Sequence, residues 1–245
     1  MIKEIILFDV DGTLTESRKK IKPNMVEKLK ELKKKYTIAI VGGSDLKKQQ
    51  EQLGDTLRLF DYIFSENGLI AFRGEECIHK KNMILYMGED NYQKLINYCM
   101  NYISKIKLPK KRGSFFELRT GMLNVSPIGR SCTYEERLEF YELDKKNNIR
   151  KNFIAAMEKD LKSLNLKFSA GGQISIDIFP IGWDKTYCLQ HLKKDEFNKF
   201  YFVGDRTEPG GNDYEIFSSS ETVSYSVKSP DDTIKIIDLF LYKNL

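Results

Sequence analysis

The chain has 245 residues, of which 41% are hydrophobic and 31% charged. This composition is typical of a folded globular protein with a sizeable core. No apolar run approaches the ~20 residues of a membrane-spanning helix, and the apolar stretch at residues 5–8 is too short for a signal peptide. The four cysteines are widely spaced. Such spacing favours reduced thiols over disulfides or zinc, and it predicts a cytoplasmic protein without a membrane partner.

The positive charge is unevenly distributed along the chain. The net charge is +5, and residues 82–183 hold 16 Lys+Arg against 11 Asp+Glu, so the whole excess lies in this middle segment. An anionic ligand that binds there would explain the excess, and an ordinary solvated surface is also compatible with it. The basic run at residues 105–112 lacks interleaved aromatic side chains, and we therefore expect no nucleic-acid partner.

The first third and the tail of the chain alternate between apolar strands and amphipathic helices. Strands are predicted at residues 5–8, 37–41, 62–64 and 200–203. Pro23 opens a helix between the first two of these strands. Strands that alternate with helices predict a parallel sheet with right-handed crossovers.

The middle of the chain has a different pattern. Helices are predicted at residues 92–106, near 135–141 and near 153–164, and strands at residues 115–118, 122–125 and 174–179. This is an α+β arrangement placed between two parts of an α/β arrangement. We therefore predict a Rossmann-like parallel-sheet core built from residues 1–81 and 184–245, with residues 82–183 inserted as an α+β cap domain.

Polar side chains follow the predicted core strands at the points where these strands end. Asp9 and Asp11 follow the first strand, Ser44 the second, and Asp205 with Asp213 the last, while Lys185 opens the return to the core. In open parallel sheets, ligands bind beyond the carboxyl ends of the strands. The side chains therefore supply carboxylates for a hard cation, a hydroxyl and one positive charge at the same edge.

These groups match the needs of phosphoryl transfer. Asp9 is a candidate nucleophile that attacks phosphorus, and Mg²⁺ is required because a carboxylate and a phosphate repel each other. Asp11 is a candidate general acid and base, and Ser44 with Lys185 are candidate ligands of the phosphate oxygens. Gly12 permits a sharp bend between the two carboxylates and the following chain. Taken alone, the Asp-x-Asp-Gly motif is as typical of a loop as of a catalytic site. Gly42-Gly43-Ser44 alone is more typical of a turn with a helix cap, and Lys185 alone of a surface lysine.

Taken in order, these motifs resemble a known superfamily. Residues 9–13 (Asp-Val-Asp-Gly-Thr), 41–44, Lys185, 204–205 and 211–213 resemble the haloacid-dehalogenase-like phosphotransferases. The segments 108–113, 121–130 and 171–175 resemble the eukaryotic-type α-phosphomannomutases, and the likeness extends from the first strand to the last helix.

The resemblance implies an isomerase that interconverts mannose 6-phosphate and mannose 1-phosphate. It implies an aspartyl phosphate at Asp9, a hexose 1,6-bisphosphate that is both intermediate and activator, and a role in supplying GDP-mannose for protein glycosylation. It also implies a homodimer formed through the cap. The preference between mannose and glucose phosphates, and the amount of bisphosphatase activity, are left open.

The resemblance further implies specific roles for site residues. Magnesium is held by Asp9, by the backbone carbonyl of Asp11 and by Asp205, and a second cation by the backbone carbonyls of Phe217 and Thr222. The chain departs from the family pattern at Ser219, where a carboxylate is common, and the second cation is therefore in question. Six residues are implied as sugar-phosphate contacts: Arg18, Arg119, Arg130, Arg137, Ser175 and Asp177.

Several alternatives remain open. Arg130 and Arg137 could instead pair with Glu135, Glu136 or Glu139, and Ser175 with Asp177 could form a solvated strand face. A sugar-phosphate phosphatase would use the same core residues and differ only in passing the phosphoryl group to water. A catalytically silent scaffold is a third hypothesis, which the costly clustering of acidic groups argues against.

Overall fold

The computed structural model describes residues 3–242, which form two compact units. One unit is built from the residues up to Lys80 and from Gly182 onward, and the other is Lys81–Ile181. The unit boundaries lie within two residues of the predicted domain boundaries. Within the described residues, no helix combines the length and the apolar character needed to cross a lipid bilayer.

The first unit contains a seven-stranded sheet in the order β11-β10-β1-β2-β3-β4-β5. Neighbouring strands from β11 to β3 run parallel, whereas β4 and β5 are antiparallel. The strands, numbered along the whole chain, are β1 Glu4–Phe8, β2 Thr37–Val41, β3 Tyr62–Ser65, β4 Ile70–Arg73, β5 Glu76–Lys80, β10 Lys199–Gly204 and β11 Thr222–Ser226. The helices are α1 Pro23–Lys33, α2 Leu46–Leu53, α7 Leu189–Lys194, α8 Tyr214–Phe217 and α9 Pro230–Tyr242.

Strand β1 lies inside this sheet, between β10 and β2, and is buried on both faces. Ile6 and Phe8 pack into a cluster with α1 and α9, and Ile5 and Leu7 into a second cluster with α7. Because side chains alternate along a strand, both faces must be apolar when both are covered by helices. This accounts for the continuous apolar run that predicted the strand.

The edge of this sheet differs from the sequence-based prediction. β4 and β5 form an antiparallel hairpin, and the parallel strand β11 extends the other edge. Neither the hairpin nor β11 was expected from the sequence. The hairpin follows three consecutive residues with positive φ, Glu66, Asn67 and Gly68, which reverse the chain after β3.

The second unit contains a four-stranded antiparallel sheet in the order β6-β7-β9-β8. Its elements are α3 Met83–Met87, α4 Glu89–Lys105, β6 Phe116–Leu118, β7 Leu123–Val125, α5 Tyr134–Asn147, α6 Ile149–Asp160, β8 Leu166–Gly171 and β9 Ser175–Pro180. Helix α4 buries the predicted stripe of Leu95, Cys99 and Ile103. Helix α5 begins with a capping box, in which Thr133 and Glu136 bond each other's backbone amides.

Candidate active site

The carboxyl ends of β1, β2, β3 and β10 lie at one edge of the first unit's sheet. Phe8 pairs with Val203 on one side and with Ile40 on the other, so the residues that follow these strands are neighbours. The backbone amide of Asp9 also donates to the carbonyl of Val203 at 2.9 Å. The register of the parallel strands thus brings Asp9 beside the loop that follows β10.

Lys185 lies at the centre of this edge and is fully buried. Its ammonium group donates to Oδ1 of Asp9 and to Oδ1 of Asp213. Asp9 is also buried, and its Oδ2 accepts a hydrogen bond from the Thr13 hydroxyl at 3.3 Å. Both oxygens of the predicted nucleophile are therefore oriented by neighbouring donors.

Asp213 completes the environment of Lys185. Its Oδ2 accepts a hydrogen bond from the backbone amide of Arg206 at 3.0 Å, and its own amide donates to the Arg206 carbonyl at 3.1 Å. A Cβ atom at Gly204 would lie 2.6 Å from Asp213 Oδ2, so glycine is needed for the close approach. Asp213 therefore acts as the counter-ion that positions Lys185 and as a brace of the loop after β10.

The third carboxylate of the site, Asp205, has an open coordination position. Its Oδ1 is buried and has no hydrogen-bond partner among the described residues. One carboxylate oxygen from each of Asp9, Asp205 and Asp213 lies within 4.8 Å of the others. A Cβ at Gly12 would lie 2.6 Å from Asp205 Cγ, so only glycine lets the loop after β1 approach this closely.

The charge balance of this group fits a divalent cation. Three carboxylates against the single ammonium of Lys185 leave an excess of two negative charges. Mg²⁺ prefers oxygen ligands in proteins. A buried carboxylate oxygen without a partner costs free energy, and a bound cation removes that cost. Asp205 offers an unbonded Oδ1 to such an ion, whereas each oxygen of Asp9 and of Asp213 already accepts one hydrogen bond from the protein.

Burial and charge together set the protonation of the site. Burial raises the pKa of Asp9, and the nearby Asp213 and Asp205 add to this rise while Lys185 opposes it. Burial raises the pKa of Asp205 as well, with Asp213 adding to it. Burial by itself lowers the pKa of Lys185, but Asp9 and Asp213 outweigh it and hold that pKa above its ordinary value. Lys185 therefore stays charged, and a bound cation would favour ionised Asp9.

The remaining predicted residues of the first unit lie in the loops at this edge. Asp11 Oδ1 accepts hydrogen bonds from the backbone amide of Arg18 at 2.7 Å and from Gln52 Nε2 at 2.8 Å. Ser44 follows β2, and its carbonyl accepts the amide of Glu66 at 3.0 Å. The Arg18 side chain is exposed, and its backbone has a positive φ of 61°.

Phe217 and Thr222, the predicted carbonyl ligands of a second cation, lie at the end of α8 and the start of β11. The Thr222 hydroxyl donates to the carbonyl of Ile216 at 2.6 Å, and its amide to the carbonyl of Ser219 at 3.3 Å. The nearby Glu221 forms an ion pair with Lys193. A second cation at these carbonyls remains a prediction.

In the second unit, a polar network joins several of the predicted substrate contacts. The Glu117 carboxylate bonds Arg119 Nε at 3.2 Å and Arg130 Nε at 2.6 Å. Arg130 Nη1 donates to Asn124 Oδ1 at 2.5 Å, and Asn124 Nδ2 donates to Asp177 Oδ1 at 2.6 Å. The network extends across β6, β7 and β9, and two guanidinium groups share one carboxylate.

The sequence left open that Arg130 pairs with a carboxylate of α5, and its observed partner is a different one. Arg130 pairs with Glu117, while Glu136 pairs with Arg112 at 2.5 Å and Glu139 with Lys110 at 2.6 Å. Glu136 and Glu139 of α5 are thus bound by other cations. The sequence could not indicate this because β6, which carries Glu117, is brought to Arg130 by sheet pairing.

Ser175 and Arg137 complete the predicted set. Ser175 opens β9 and is buried, and its hydroxyl donates to the Gly171 carbonyl at 2.8 Å, so it is not part of a solvated strand face. Asp177 lies two residues along the same strand and is half-buried. Arg137 is half-buried in the first turns of α5, where its amide donates to the Thr133 carbonyl at 3.0 Å.

Three contacts of the site have no assignment from the sequence. These are the Thr13 hydroxyl on Asp9, the Gln52 amide on Asp11, and the pairing of Asp213 with Lys185. The sequence marks Asp213 only as one more acidic strand-end residue. Gln52 carries no signal, because its place beside Asp11 depends on how α2 packs.

Comparison with known proteins points to one family. A family model described as eukaryotic phosphomannomutase matches residues 25–243. Phosphomannomutase from Dendrobium officinale is 53% identical over 230 residues, covering 94% of this chain and 90% of that protein. Phosphomannomutase from Saccharomyces cerevisiae is 52% identical over 234 residues, covering 95% and 92%. Human phosphomannomutase 1 is 50% identical over 234 residues, covering 94% and 89%.

Similar solved structures bear on the fold alone. The IMP-nucleotidase of Plasmodium falciparum superposes with a TM-score of 0.64 at 16% identity, covering 99% of this chain and 69% of that one. Trehalose-6-phosphate phosphatase of Aspergillus fumigatus gives a TM-score of 0.61 at 15% identity, covering 98% and 93%. The predicted fold class, an α/β core with a largely parallel sheet and an α+β insertion, is confirmed.

Proposed function

The chain belongs to the eukaryotic phosphomannomutase family, and from this premise we propose that it interconverts mannose 6-phosphate and mannose 1-phosphate. The substrate class, hexose phosphates, is inferred from membership of this family. The buried arrangement of Asp9 with Lys185 and Asp205 supports the chemistry. The product is the sugar 1-phosphate from which GDP-mannose for glycosylation is made.

We assign Asp9 as the nucleophile. One of its carboxylate oxygens forms a bond to phosphorus of a hexose 1,6-bisphosphate while the bond from phosphorus to the sugar oxygen breaks. Asp11 gives a proton to the departing sugar oxygen, and later removes one from the hydroxyl that accepts the phosphoryl group. Lys185 and Ser44 bind phosphate oxygens. The hexose bisphosphate is thus the activator, because it phosphorylates Asp9 when the enzyme holds no phosphoryl group.

The carboxylates described above fit Mg²⁺, and we propose that Asp9, Asp205 and the backbone carbonyl of Asp11 hold it. When bound, the ion neutralises the charge that otherwise keeps a carboxylate and a phosphate apart. We assign Asp213 a different role, since its two oxygens accept hydrogen bonds from Lys185 and from the Arg206 amide. Its part is to keep Lys185 directed at Asp9.

We propose that arginines of the second unit bind the sugar phosphate that is not reacting with Asp9. Arg119 and Arg130 share the carboxylate of Glu117, an arrangement in which two guanidinium groups have spare donors for an anion. Arg137, Ser175 and Asp177 are assigned to the same substrate, as is Arg18 of the first unit. This assignment accounts for the excess positive charge of the middle segment.

An assay of product identity tests the proposal. Mannose 1-phosphate with a trace of hexose 1,6-bisphosphate should yield mannose 6-phosphate in the presence of Mg²⁺, with little free phosphate. Asp9→Asn should abolish both turnover and covalent labelling by the bisphosphate, whereas Asp90→Asn, at an exposed position of α4, should change neither. Release of free phosphate without isomerisation would instead indicate the phosphatase. The same assay with glucose 1-phosphate measures the sugar preference.

We propose further that the protein is a homodimer formed through the second unit and acts in the cytoplasm. Strand β6 is an edge strand, and Leu118 at its end is 45% exposed. Light scattering should give twice the monomer mass, and Leu118→Glu should lower it, while Leu85→Glu, at the highly exposed residue of α3, should not. A monomeric wild type would contradict the dimer. The free thiols of the four cysteines support a reducing compartment.

A further inference from the structure

The carboxylate of Asp11 is held on one side only. Both of its side-chain hydrogen bonds among the described residues fall on Oδ1, from the Arg18 amide at 2.7 Å and from Gln52 Nε2 at 2.8 Å. Two donors on one oxygen fix the rotation of the carboxylate about its Cβ–Cγ bond. The second oxygen, Oδ2, is therefore the one that remains to exchange a proton with a substrate.

Gln52 is itself held in place. It is buried on α2, and its Nε2 is also 3.2 Å from the hydroxyl oxygen of Thr15. The Thr15 hydroxyl donates to the Val10 carbonyl at 3.3 Å, so it accepts rather than donates toward Gln52. Both amide hydrogens are thereby used, one on Asp11 and one on Thr15. The Gln52 backbone carbonyl accepts the Ile21 amide at 2.9 Å, which fixes the backbone at the same point.

We propose that Gln52 is a positioning residue, which orients Asp11 so that Oδ2 exchanges the proton with the sugar oxygen. The inference rests on the proposed function, because it assumes that Asp11 is the general acid and base. Proton transfer requires a donor and an acceptor about 2.6–3.2 Å apart, so a freely rotating carboxylate would transfer the proton less often. The Arg18 amide alone leaves such rotation possible, because a single donor can follow either oxygen.

A purely structural role for Gln52 makes a different prediction. In that role, Gln52 only satisfies its own buried amide and connects the loop after β1 to α2. Its loss would then lower stability and slow every reaction of Asp9 by a similar factor. A positioning role affects only those reactions that need the proton from Asp11. The two roles are therefore separated by how the rate depends on the leaving group.

The experiment compares two phosphoryl donors in single-turnover phosphorylation of Asp9. Hexose 1,6-bisphosphate loses a sugar alkoxide and needs the acid, whereas p-nitrophenyl phosphate loses a stable phenolate and does not. Gln52→Met keeps the length of the side chain and removes its donor. We expect the rate with the bisphosphate to fall about 10- to 100-fold, a part of the 10²–10⁴ that general acid catalysis contributes. With the aryl phosphate we expect a change below about threefold, since no proton is required.

Controls keep the outcomes separate. Gln50→Met makes the same replacement at an exposed position of the same helix and should leave both rates unchanged. Gln52→Leu also removes the donor without adding a charge, and it should repeat the selective loss if the Met variant folds poorly. Equal losses with both donors, or no loss with the bisphosphate, would overturn the positioning role. If the wild type itself is not phosphorylated by the bisphosphate, the proposed function fails instead.

Discussion

Arg150 of the second unit offers a sharp test of how this unit is held together. Its side chain is buried, and its Nε donates to the buried carboxylate of Asp144 at 2.8 Å. Its Nη1 lies 2.9 Å from the Gly172 carbonyl, 3.1 Å from that of Ser175 and 3.3 Å from that of Gly171. One guanidinium group thus joins α5 and α6 to the turn between β8 and β9.

Replacing Arg150 with Met should therefore be strongly destabilising. The change leaves the Asp144 carboxylate buried without its counter-ion, and removal of one partner of a buried ion pair costs about 3–5 kcal/mol. The three carbonyls also lose their shared donor. For comparison, Lys145→Met on α5 removes only surface contacts, the exposed pair with Glu142 and the contact with the Tyr141 ring, and should cost far less.

Urea unfolding of the single and double variants measures this effect. In the double variant Asp144→Leu with Arg150→Met, no buried charge is left, so it should be at least about 1.5 kcal/mol more stable than the sum of the single losses predicts. The turn that Arg150 braces also carries Ser175, and the KM for mannose 1-phosphate should rise in the Arg150 variant. A loss below about 1 kcal/mol in the single variant, or strict additivity in the cycle, would refute the reasoning.

Three further predictions concern the first unit. Gly12→Ala should weaken Mg²⁺ binding measured by titration, because the added Cβ would displace Asp205. The φ of +79° at this position also costs a non-glycine residue about 1–2 kcal/mol of stability. Gly74→Ala is the control: its φ is +57° and the added Cβ meets nothing within 4 Å, so it should lose stability without a change in Mg²⁺ binding. Burial, with His79 adding to it, lowers the pKa of His191 to about 4. Neutral His191 therefore makes its full contribution to the free energy of unfolding above the unfolded pKa of about 6.5. As the pH falls toward 4, up to about 3 kcal/mol of this contribution is lost. His191→Gln should reduce the loss of stability measured by urea unfolding between pH 7.5 and pH 5. Mg²⁺ at 100 times its Kd should stabilise the wild type by about 2.7 kcal/mol in thermal melts, and an equal shift in Asp205→Asn would contradict the proposed ligand.

The centre of the first unit was predictable because its sequence is locally unambiguous. Strand β2 has the predicted bounds, and β1 differs from its prediction by one residue, since a short continuous apolar run that ends in polar residues is typical of a buried strand. The edge strands were missed for the opposite reason. Strand β5 has no buried residue and contains Glu, His and Lys, so neither an apolar run nor an alternation announces it.

The site was predictable where it follows a strand and not where it depends on packing. Asp9 and Asp205 come directly after β1 and β10, and the order of strands in an α/β fold brings them together. A lysine is ordinarily exposed, so the sequence gives no sign that Lys185 is buried. In the structure it is fully buried between the carboxylates of Asp9 and Asp213. The Glu117 carboxylate that Arg119 and Arg130 share likewise depends on sheet pairing and has no signature in the sequence.

The position of β1 between β2 and β10 has a consequence for how the chain reaches its native state. Strand β2 follows β1 within about thirty residues, but Ile5 pairs with Phe200, near the end of the chain. During synthesis, the edge of β1 that faces β10 stays unpaired until residues 199–204 have left the ribosome, whereas the intervening second unit is contiguous in sequence. The nascent chain thus carries an exposed apolar strand edge, a hazard for aggregation. Premature termination before β10 would remove the partner of that edge together with Asp205 and Asp213.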